Sequence, residues 1–373
     1  METSGKESWL SRILGLNMWF GMTLSGWLKL LSKYRFAVER ERIPMVVITT
    51  GQTLLNSMAS YLERVLYEKE VAKTELVTHP IFIIGYWRTG TTHLHNLLCQ
   101  DERFTCPTTY TCMFPSHFLL TERLMKRLLF SSLPRTRPMD NMRLLWDSPQ
   151  EDEVALALLG GVSPYMDFAF PNTPEIHRRF LDFEDATKEE RELFKKVIVY
   201  FIRKHTFRSR KRVVLKSPAH SYRIKLLVDV FPNAKFIHIY RDPVRVFVSA
   251  LHTFNILRKQ IGLTKPDNSR LEQRIIEDML LCYKRIWEGR AILASNQFHE
   301  IRFEDLEKQP IKEIEKAYIK LNLGKFESVR PKLEAYLASI ADYRKNRYNI
   351  PAEKKREVAQ KLAPIIKAYG YNN

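Results

Sequence analysis

Short strand-like runs that are followed at once by a turn and a helix recur four times along this chain of 373 residues. Three are largely apolar, PIFIIG (Pro80–Gly85), RVVLK (Arg212–Lys216) and KFIHIY (Lys235–Tyr240), and the fourth is the short segment Phe298–Phe303. Continuous apolar runs of this length are typical of strands buried on both faces of a parallel sheet, and repeated strand–helix units build such sheets. The sequence therefore predicts an α/β fold whose ligand chemistry lies at the C-terminal edge of the strands.

The segment GYWRTGTTH, Gly85 to His93, lies between the first run and a helix predicted over Leu94–Leu98. Its glycines have the spacing of phosphate-binding loops, in which backbone N–H groups and a helix N-terminus surround an anion. Thr91 stands where ATP-binding loops have lysine, and Arg88 places a cation inside the loop instead. Kinases and NTPases of this type need that lysine and Mg²⁺. We therefore expect an anion site that holds no metal.

A second cation follows the third run. Arg241 comes directly after KFIHIY, and Ser249 follows eight residues later, about two turns into the next predicted helix. An aspartate at this strand end would suggest a metal ligand, whereas an arginine favours a second anionic group. The spacing predicts that Arg241 and Ser249 hold a further phosphate of the same ligand.

The charge balance also indicates an anionic partner. Lys and Arg number 60 against 42 Asp and Glu, a formal charge of +18, which suits nucleic acid, an acidic membrane surface or a highly charged small ligand. The aromatic residues do not alternate with basic ones as a nucleic-acid stacking platform requires, so we expect no nucleic acid. Because Cys99, Cys106, Cys112 and Cys282 show neither CxxC pairing nor metal-ligand spacing with histidine, we expect no disulfide scaffold, no zinc site and a cytoplasmic location.

Four segments carry a family resemblance: GYWRTGTT, LKSPAH (215–220), YRDPVRVFVSAL (240–251) and IRFEDL (301–306). They resemble the anchor segments of the PAPS-dependent sulfotransferases, where PAPS is 3′-phosphoadenosine 5′-phosphosulfate. SPQEDE (148–153) is similar to a segment of the bacterial branch with an arginine-containing phosphosulfate loop. The resemblance, from about residue 80 to 371, implies a P-loop-like three-layer fold with a central parallel sheet. It also implies in-line transfer of a sulfuryl group from PAPS to a hydroxyl, with neither a metal nor a covalent enzyme intermediate.

The resemblance assigns roles to individual residues. The 5′-phosphosulfate would be held by Arg88, Thr89, Gly90, Thr91 and Thr92. The 3′-phosphate would be held by Arg241 and Ser249, with Lys345 and Arg347 as loose counterparts of the family's basic C-terminal segment. Phe303 stands where the family often has a tyrosine against adenine. Negative charge develops on the bridging oxygen as the phosphate leaves, which calls for a cation such as Arg88 or Lys216.

The acceptor hydroxyl must lose its proton, and the sequence offers two candidates for the base. His220 lies four residues past the strand end at Lys216, and a neutral imidazole suits proton transfer near pH 7. This chain has K-S-P-A-H where cytosolic sulfotransferases have Lys-Thr-His. Other branches of the family use a glutamate, which Glu153 or Glu151 could supply, although acidic residues there also suit a helix N-terminus. Both alternatives stay open.

The domain organisation follows from segments outside these motifs. Residues 104–205 lack the strand–helix rhythm and predict a largely helical insertion that covers the acceptor side of the sulfotransferase domain, residues 46–373. Residues 51–72 predict an amphipathic helix with Leu54, Leu55, Met58, Leu62, Val65 and Leu66 at helical spacing. The amphipathic segment 1–45 contains Trp9, Trp19 and Trp27. It suits either the membrane interface or packing on the protein's own core.

The insertion also bears on the acceptor, because it is rich in large apolar side chains, from Tyr110, Met113, Phe114 and Phe118 through Leu156, Leu158 and Leu159 to Tyr165, Met166, Phe168 and Phe170. A sugar pocket would need more polar groups, since unpaired buried polar groups are costly. We therefore expect a hydrophobic acceptor, such as a sterol, a hydroxylated lipid or a quinol, and peripheral membrane contact if the N-terminal segment binds a bilayer. A carbohydrate sulfotransferase and a P-loop kinase or NTPase are the alternatives.

Overall fold

The computed structural model describes residues 17–128, 136, 142, 144–172, 175–342 and 350–371. Its five strands, β1 to β5, are Ile81–Ile84, Phe104–Thr105, Arg212–Lys216, Lys235–Tyr240 and Phe298–Arg302. The helices among these residues, α1 to α16, are Leu24–Lys33, Ile43–Lys73, Thr91–Leu98, Thr109–Met113, Phe118–Leu128, Asp152–Gly160, Glu175–Arg178, Lys188–Ser209, Ile224–Val230, Pro243–Ile261, Leu271–Ile292, Phe303–Lys308, Pro310–Leu321, Arg330–Ser339, Ala352–Lys361 and Ala363–Ala368.

The strands form one parallel sheet in the order β2-β3-β1-β4-β5. Residues alternate between its two faces. Phe82, Ile84 and Phe236 pack under α8 to α11, whereas Ile81, Ile83 and Ile237 pack under α3, α13 and α14. The sheet is thus the middle of three layers, and the predicted α/β fold with a central parallel sheet is confirmed.

The strand predictions hold, with one omission. All four predicted runs are strands in the sheet, and each is followed by a helix. Phe104–Thr105 was not predicted, because two residues are too short to show a pattern. This strand pairs with β3 at the edge of the sheet. The insertion therefore begins with a strand, and α4 to α8 form its helical part.

The described part of the N-terminal segment packs on the protein's own core, the second of the two alternatives. Trp19 and Trp27 are both fully buried. Trp19 Nε1 donates to the Ile261 carbonyl at 2.7 Å, and Trp27 Nε1 donates to Thr50 Oγ1 at 2.9 Å. Trp9 lies outside the described residues. Among the helices that are described, none is long and apolar enough to cross a membrane.

The predicted amphipathic helix is present as α2 and is longer than expected, but its apolar face points outward. All six apolar residues that predicted it are at least 52% exposed. The residues it buries include Thr49, Thr53, Asn56 and Glu63. The spacing predicted the helix correctly. It did not show which face meets the core, because periodicity separates an apolar from a polar face without orienting either.

We expected no disulfide scaffold, and the described residues contain one disulfide bond that the sequence did not indicate. Cys99, at the end of α3, is disulfide-bonded to Cys106, just after β2. Sequence spacing missed this pair because the return of the chain into β2 brings the two residues together. His95 lies one helical turn before Cys99, and one ligand atom from each of these three residues lies within 4.8 Å of the others. The remaining cysteines, Cys112 and Cys282, are buried free thiols.

Candidate active site

The phosphate-type loop connects β1 to α3 in a conformation that its glycines make possible. Gly85 has φ +148°, and Gly90 has φ +104°. A Cβ at Gly85 would lie 2.4 Å from the Ile239 carbonyl oxygen, so only glycine fits against β4. No side chain caps the N-terminus of α3 at Gly90. The backbone N–H groups of a first helical turn have no partner within the helix, so this helix end is suited to an anion.

Arg88 is held at the centre of the loop by its contact with α10. It has a left-handed backbone, φ +73°, which is uncommon for a residue with a side chain. Arg88 Nε donates to Ser249 Oγ at 3.0 Å. The sequence assigned these two residues to different phosphate groups, and in the structure they touch.

Arg241 lies at the same edge of the sheet, against Phe303. The Arg241 guanidinium carbon is 4.3 Å from the centre of the Phe303 ring. The Phe303 ring also packs on Gly90, where a Cβ would approach it to 2.3 Å. Burial is the main cause that lowers the pKa of Arg241, and the charges of Arg245 and Arg88 contribute. Its Nε is buried without a hydrogen-bond partner among the described residues, so this cation has capacity for an anion.

Lys216, at the end of β3, connects the loop to the acidic segment. Its side chain is 1% exposed, and its Nζ lies 2.6 Å from Glu151 Oε1. The same Nζ is 3.5 Å from Thr92 Oγ1 in the first turn of α3. Glu151 is 19% exposed and also accepts a hydrogen bond from the Tyr165 hydroxyl. The ammonium group therefore lies between the loop and a carboxylate that retains access to solvent.

The next acidic residue, Asp152, pairs with His220. Both side chains are fully buried, and His220 Nε2 lies 2.6 Å from Asp152 Oδ2. Burial alone would raise the pKa of Asp152, but the charge and hydrogen bond of His220 outweigh it, so the pKa lies below its usual value. The structure thus places His220 at the strand edge, as expected, with one ring nitrogen already engaged.

The carboxylate of Glu153 is also held by buried partners, as that of Asp152 is. Its Oε1 is 3.0 Å from Arg223 and accepts from Ser163 Oγ at 2.6 Å. The side chains of Glu153 and Arg223 are both fully buried. Of the three consecutive acids, Glu151 alone keeps measurable exposure, because α6 begins at Asp152 and turns the next two side chains into the protein.

Four aromatic side chains form a wall beside Glu151. Trp87, in the loop, donates through Nε1 to the Tyr165 hydroxyl at 3.1 Å. Its ring centre lies 5.7 Å from that of Phe254, and Phe168 lies 6.3 Å from Phe254. Trp87, Phe168 and Phe254 are only half-buried. Because the Tyr165 hydroxyl bonds to both Trp87 and Glu151, this apolar surface lies one side chain away from the carboxylate.

The structure brings most of the predicted site residues to one edge of the sheet. Arg88, Thr92, Lys216, Arg241, Ser249 and Phe303 lie there with Glu151, and Thr89 is buried within the loop, where its hydroxyl donates to the Tyr86 carbonyl at 2.8 Å. Lys345 and Arg347 lie outside the described residues. Sequence reasoning assigned no role to Asp152, Arg223 or Trp87, and it named Tyr165 only among the large apolar side chains of the insertion. The run of three acids was the signal available for Asp152, whereas Arg223 lies 70 residues from Glu153 and has no local signal.

Comparisons with known proteins agree with this geometry. A family model described as the sulfotransferase family matches residues 80–328, which contain the loop, Lys216 and Arg241. The chain belongs to the sulfotransferase family. PAPS is the sulfuryl donor that this family implies, and the chain is a transferase.

Relatives of this sulfotransferase include the omega-hydroxy-beta-dihydromenaquinone-9 sulfotransferase Stf3 of Mycobacterium bovis and of Mycobacterium tuberculosis. Each is 40% identical over 355 residues, which cover 95% of this chain and 91% of the relative. Human carbohydrate sulfotransferase 6 is 27% identical over 124 residues, 31% of this chain and 30% of the relative.

Among solved structures, the sulfotransferase resembles STF9 from Mycobacterium avium, with a TM-score of 0.66 and 17% identity, covering 93% of this chain and 96% of that one. STF1 from Mycobacterium tuberculosis has a TM-score of 0.63 and 16% identity, covering 92% and 94%. These likenesses establish the shared fold.

Proposed function

We propose that this enzyme transfers a sulfuryl group from PAPS to the hydroxyl of a hydrophobic acceptor, a hydroxylated quinol or related lipid alcohol. The observation that carries the proposal is the contact of Lys216 with both Glu151 and Thr92. This contact connects two parts of the site. One is a carboxylate that can accept a proton, and the other is the loop where negative charge develops.

The residues of the loop edge fit PAPS, which supplies an activated sulfuryl group when bound. The uncapped N-terminus of α3, with Thr91, Thr92 and Arg88, would hold the 5′-phosphosulfate. Arg241, whose buried Nε has no partner within the described ranges, would hold the 3′-phosphate, and Ser249 would contribute a hydroxyl. Phe303 presents an aromatic ring for adenine beside Arg241.

Glu151 is the group we propose as the base. Its carboxylate is partly exposed and borders the aromatic wall, whereas those of Asp152 and Glu153 are fully buried. An acceptor hydroxyl placed against Trp87 would lie within reach of Glu151. Removal of a proton by a positioned base contributes about 10²–10⁴-fold to a rate.

Lys216 couples that proton transfer to the departure of the phosphate. While Glu151 is ionised, the two groups neutralise each other at 2.6 Å. When Glu151 takes up the proton, the ion pair weakens, and the ammonium is left to stabilise charge at the loop beside Thr92. Fixed cations of this kind act strongly where water is excluded. Arg88 would assist from within the loop.

His220 and Glu153 receive positioning roles in this proposal. The bond from Asp152 to His220 links the start of α6 to the end of β3, and the pair of Glu153 with Arg223 fixes the next turn. Both pairs hold Glu151 in register with Lys216. A base role for His220 would require its Nδ1, because Nε2 is held by Asp152.

The aromatic wall supports a lipid alcohol as acceptor. Trp87, Phe168 and Phe254 offer apolar surface with few polar partners for a glycan. The relatives that match along most of this chain are named for action on a menaquinone derivative, whereas the carbohydrate enzyme matches about a third of it. We place the enzyme in the cytoplasm with peripheral membrane contact, with small molecules and not nucleic acid as its partners.

The experiment is a radiolabelled-PAPS assay of the purified chain against hydroxylated quinols, sterols, phenols and oligosaccharides. We expect labelled product from lipid alcohols, and activity that survives EDTA because Arg88, Lys216 and Arg241 would supply the positive charge. Sulfation of oligosaccharides alone would refute the acceptor class. Loss of activity with EDTA would refute catalysis without a metal.

A further inference from the structure

Helix α2 is amphipathic with its polar side inward. Its outward face carries eight large apolar side chains that are each at least 52% exposed: Val47, Leu54, Leu55, Met58, Tyr61, Leu62, Val65 and Leu66. We call these eight residues the α2 stripe. At a rise of about 1.5 Å per residue the stripe is about 28 Å long. A contiguous apolar surface of this size on a folded protein marks an interaction site.

The orientation of α2 is imposed by polar contacts on its inner side. Glu63 and Lys204 form a buried ion pair, Lys204 Nζ also donates to the Pro115 carbonyl at 2.6 Å, and Glu63 Oε2 accepts from the Leu120 amide at 3.0 Å. These directional bonds prevent α2 from rotating to bury its apolar side, because each buried charge would lose its partner.

A second inner contact fixes the helix near its middle. Asn56 Nδ2 donates to the carbonyls of Phe20 at 2.6 Å and Met22 at 2.9 Å. The α2 stripe is therefore a built feature of the fold and not a helix that happens to face solvent.

The charges beside the α2 stripe indicate what covers it. Lys69 and Lys73 are exposed and follow Leu62 and Leu66 by seven residues, so they continue the same face. Two acidic residues beside these lysines, Glu68 and Glu70, are also exposed, and Glu68 is paired with Arg64. With a chain charge of +18, a second copy would bring like charges together, whereas anionic lipid headgroups attract them.

We propose that the α2 stripe lies in the surface of an anionic lipid bilayer, with its apolar side chains at the boundary of headgroups and acyl chains. Helices with this division of charge and apolar surface bind there. For the N-terminal segment 1–45 the sequence left the membrane interface and core packing open, and its residues 17–34 are part of the core that supports α2.

The position of α2 relates this surface to the acceptor side. α2 packs on the segment Met18–Gly21, which in turn contacts α6, the helix that follows Glu151. A bilayer on α2 would lie one layer of structure away from the proposed base. The inference deepens the proposed lipid acceptor and rests on it for its purpose, although membrane binding by itself does not require it.

The test is co-sedimentation of the full chain with vesicles of phosphatidylglycerol and phosphatidylcholine. We expect the triple variant Leu54→Gln/Met58→Gln/Val65→Gln to partition at least tenfold more weakly than the wild type. The matched control is Ile319→Gln on α13, a side chain that is 71% exposed elsewhere, which should bind unchanged. Lys69→Gln/Lys73→Gln should weaken binding to anionic vesicles and leave binding to pure phosphatidylcholine unaltered.

Binding of PAP, the 3′-phosphoadenosine 5′-phosphate that remains when PAPS loses its sulfuryl group, confirms that the triple variant is folded. Equal vesicle binding by wild type and triple variant, or none by either, would overturn the proposal. A wild-type dimer that the triple variant abolishes, without vesicle binding, would assign the surface to a second copy and also overturn it.

Failure of the proposed function has a different signature. Vesicle binding through α2 without sulfation of any lipid alcohol would refute the acceptor class and leave the surface assignment intact. Sulfation of lipid alcohols in detergent, without vesicle binding, would refute the surface assignment and leave the acceptor class intact.

Discussion

Lys216 Nζ lies 2.6 Å from Glu151 Oε1, across 65 residues of sequence. The contact joins the end of β3 to the residue before α6, and thereby the sheet to the insertion. Because Lys216 Nζ also lies 3.5 Å from Thr92 Oγ1, the same ammonium group contacts both the loop and the carboxylate. Charge movement at one of these groups changes the electrostatic energy of the other.

Glu151→Gln should lower kcat by about 10²–10⁴-fold, because the amide cannot accept the acceptor's proton. PAP affinity, measured by calorimetry, should stay within about twofold, since Glu151 borders the acceptor side. A fully active Glu151→Gln enzyme, together with an inactive but stable His220→Ala enzyme, would move the base to His220.

Glu153→Gln is the matched control and should act mainly on stability. Its carboxylate is buried against Arg223, and breaking a buried ion pair costs about 3–5 kcal/mol. Urea denaturation should show this loss, while the folded fraction loses much less turnover than Glu151→Gln, because Glu153 positions the proposed base and does not itself take the proton. An inactive Glu153→Gln enzyme of unchanged stability would contradict the division of roles among the three acids.

Arg241→Ala should weaken PAP binding by about 1.5–3 kcal/mol, the range for hydrogen bonds to charged groups, or about 10- to 150-fold in Kd. Arg88→Ala should act similarly. Arg245→Ala, which removes a side chain of the same region that is 72% exposed, is the control and should bind PAP normally. Unchanged calorimetric affinity in both loop-edge variants would dismiss the assignment.

Gly90→Ala should impair both stability and PAP binding. The left-handed backbone at φ +104° costs about 1–2 kcal/mol for a residue with a Cβ, and that Cβ would displace the Phe303 ring. Thermal unfolding and calorimetry measure the two effects. Adding Phe303→Ala should recover part of the stability and none of the affinity, and a double variant that binds PAP normally would argue against a role for Phe303.

Acid should destabilise the protein through its buried, neutral histidines. Burial and then the charge of Lys216 lower the pKa of His95 to about 3, and burial and then Lys204 lower that of His117 to about 4. The unfolded chain, with histidine pKa near 6.5, binds more protons in this window. The free energy of unfolding should therefore fall as pH decreases from about 6.5 to about 4, by up to about 1.4 kcal/mol per pH unit for each group.

Urea titrations across this range measure that slope. His117→Gln should reduce the slope, since one of the histidines that the folded state keeps neutral is gone. Stability that rises on acidification would show that these histidines are protonated in the folded state.

Local sequence was sufficient for the strands and for the loop. β1, β3 and β4 are short, largely apolar runs bounded by turns, which is typical of buried parallel strands, whereas β5 contains the polar residues His299 and Glu300 and was recognised from its place before a turn and a helix. The glycines of the loop were equally informative. Gly85 and Gly90 have positive φ, a local conformation that favours glycine and is therefore visible in the residue type.

The tertiary structure alone decided which polar groups meet and which apolar face is covered. Three adjacent acids look equivalent in sequence, yet only Glu151 keeps exposure, because Asp152 and Glu153 turn inward to His220 and Arg223. The outward orientation of α2 likewise depends on Lys204, 141 residues from Glu63. Periodicity and motifs describe neighbours along the chain, whereas burial and charge pairing depend on distances through space, which are established only when the insertion folds onto the sheet.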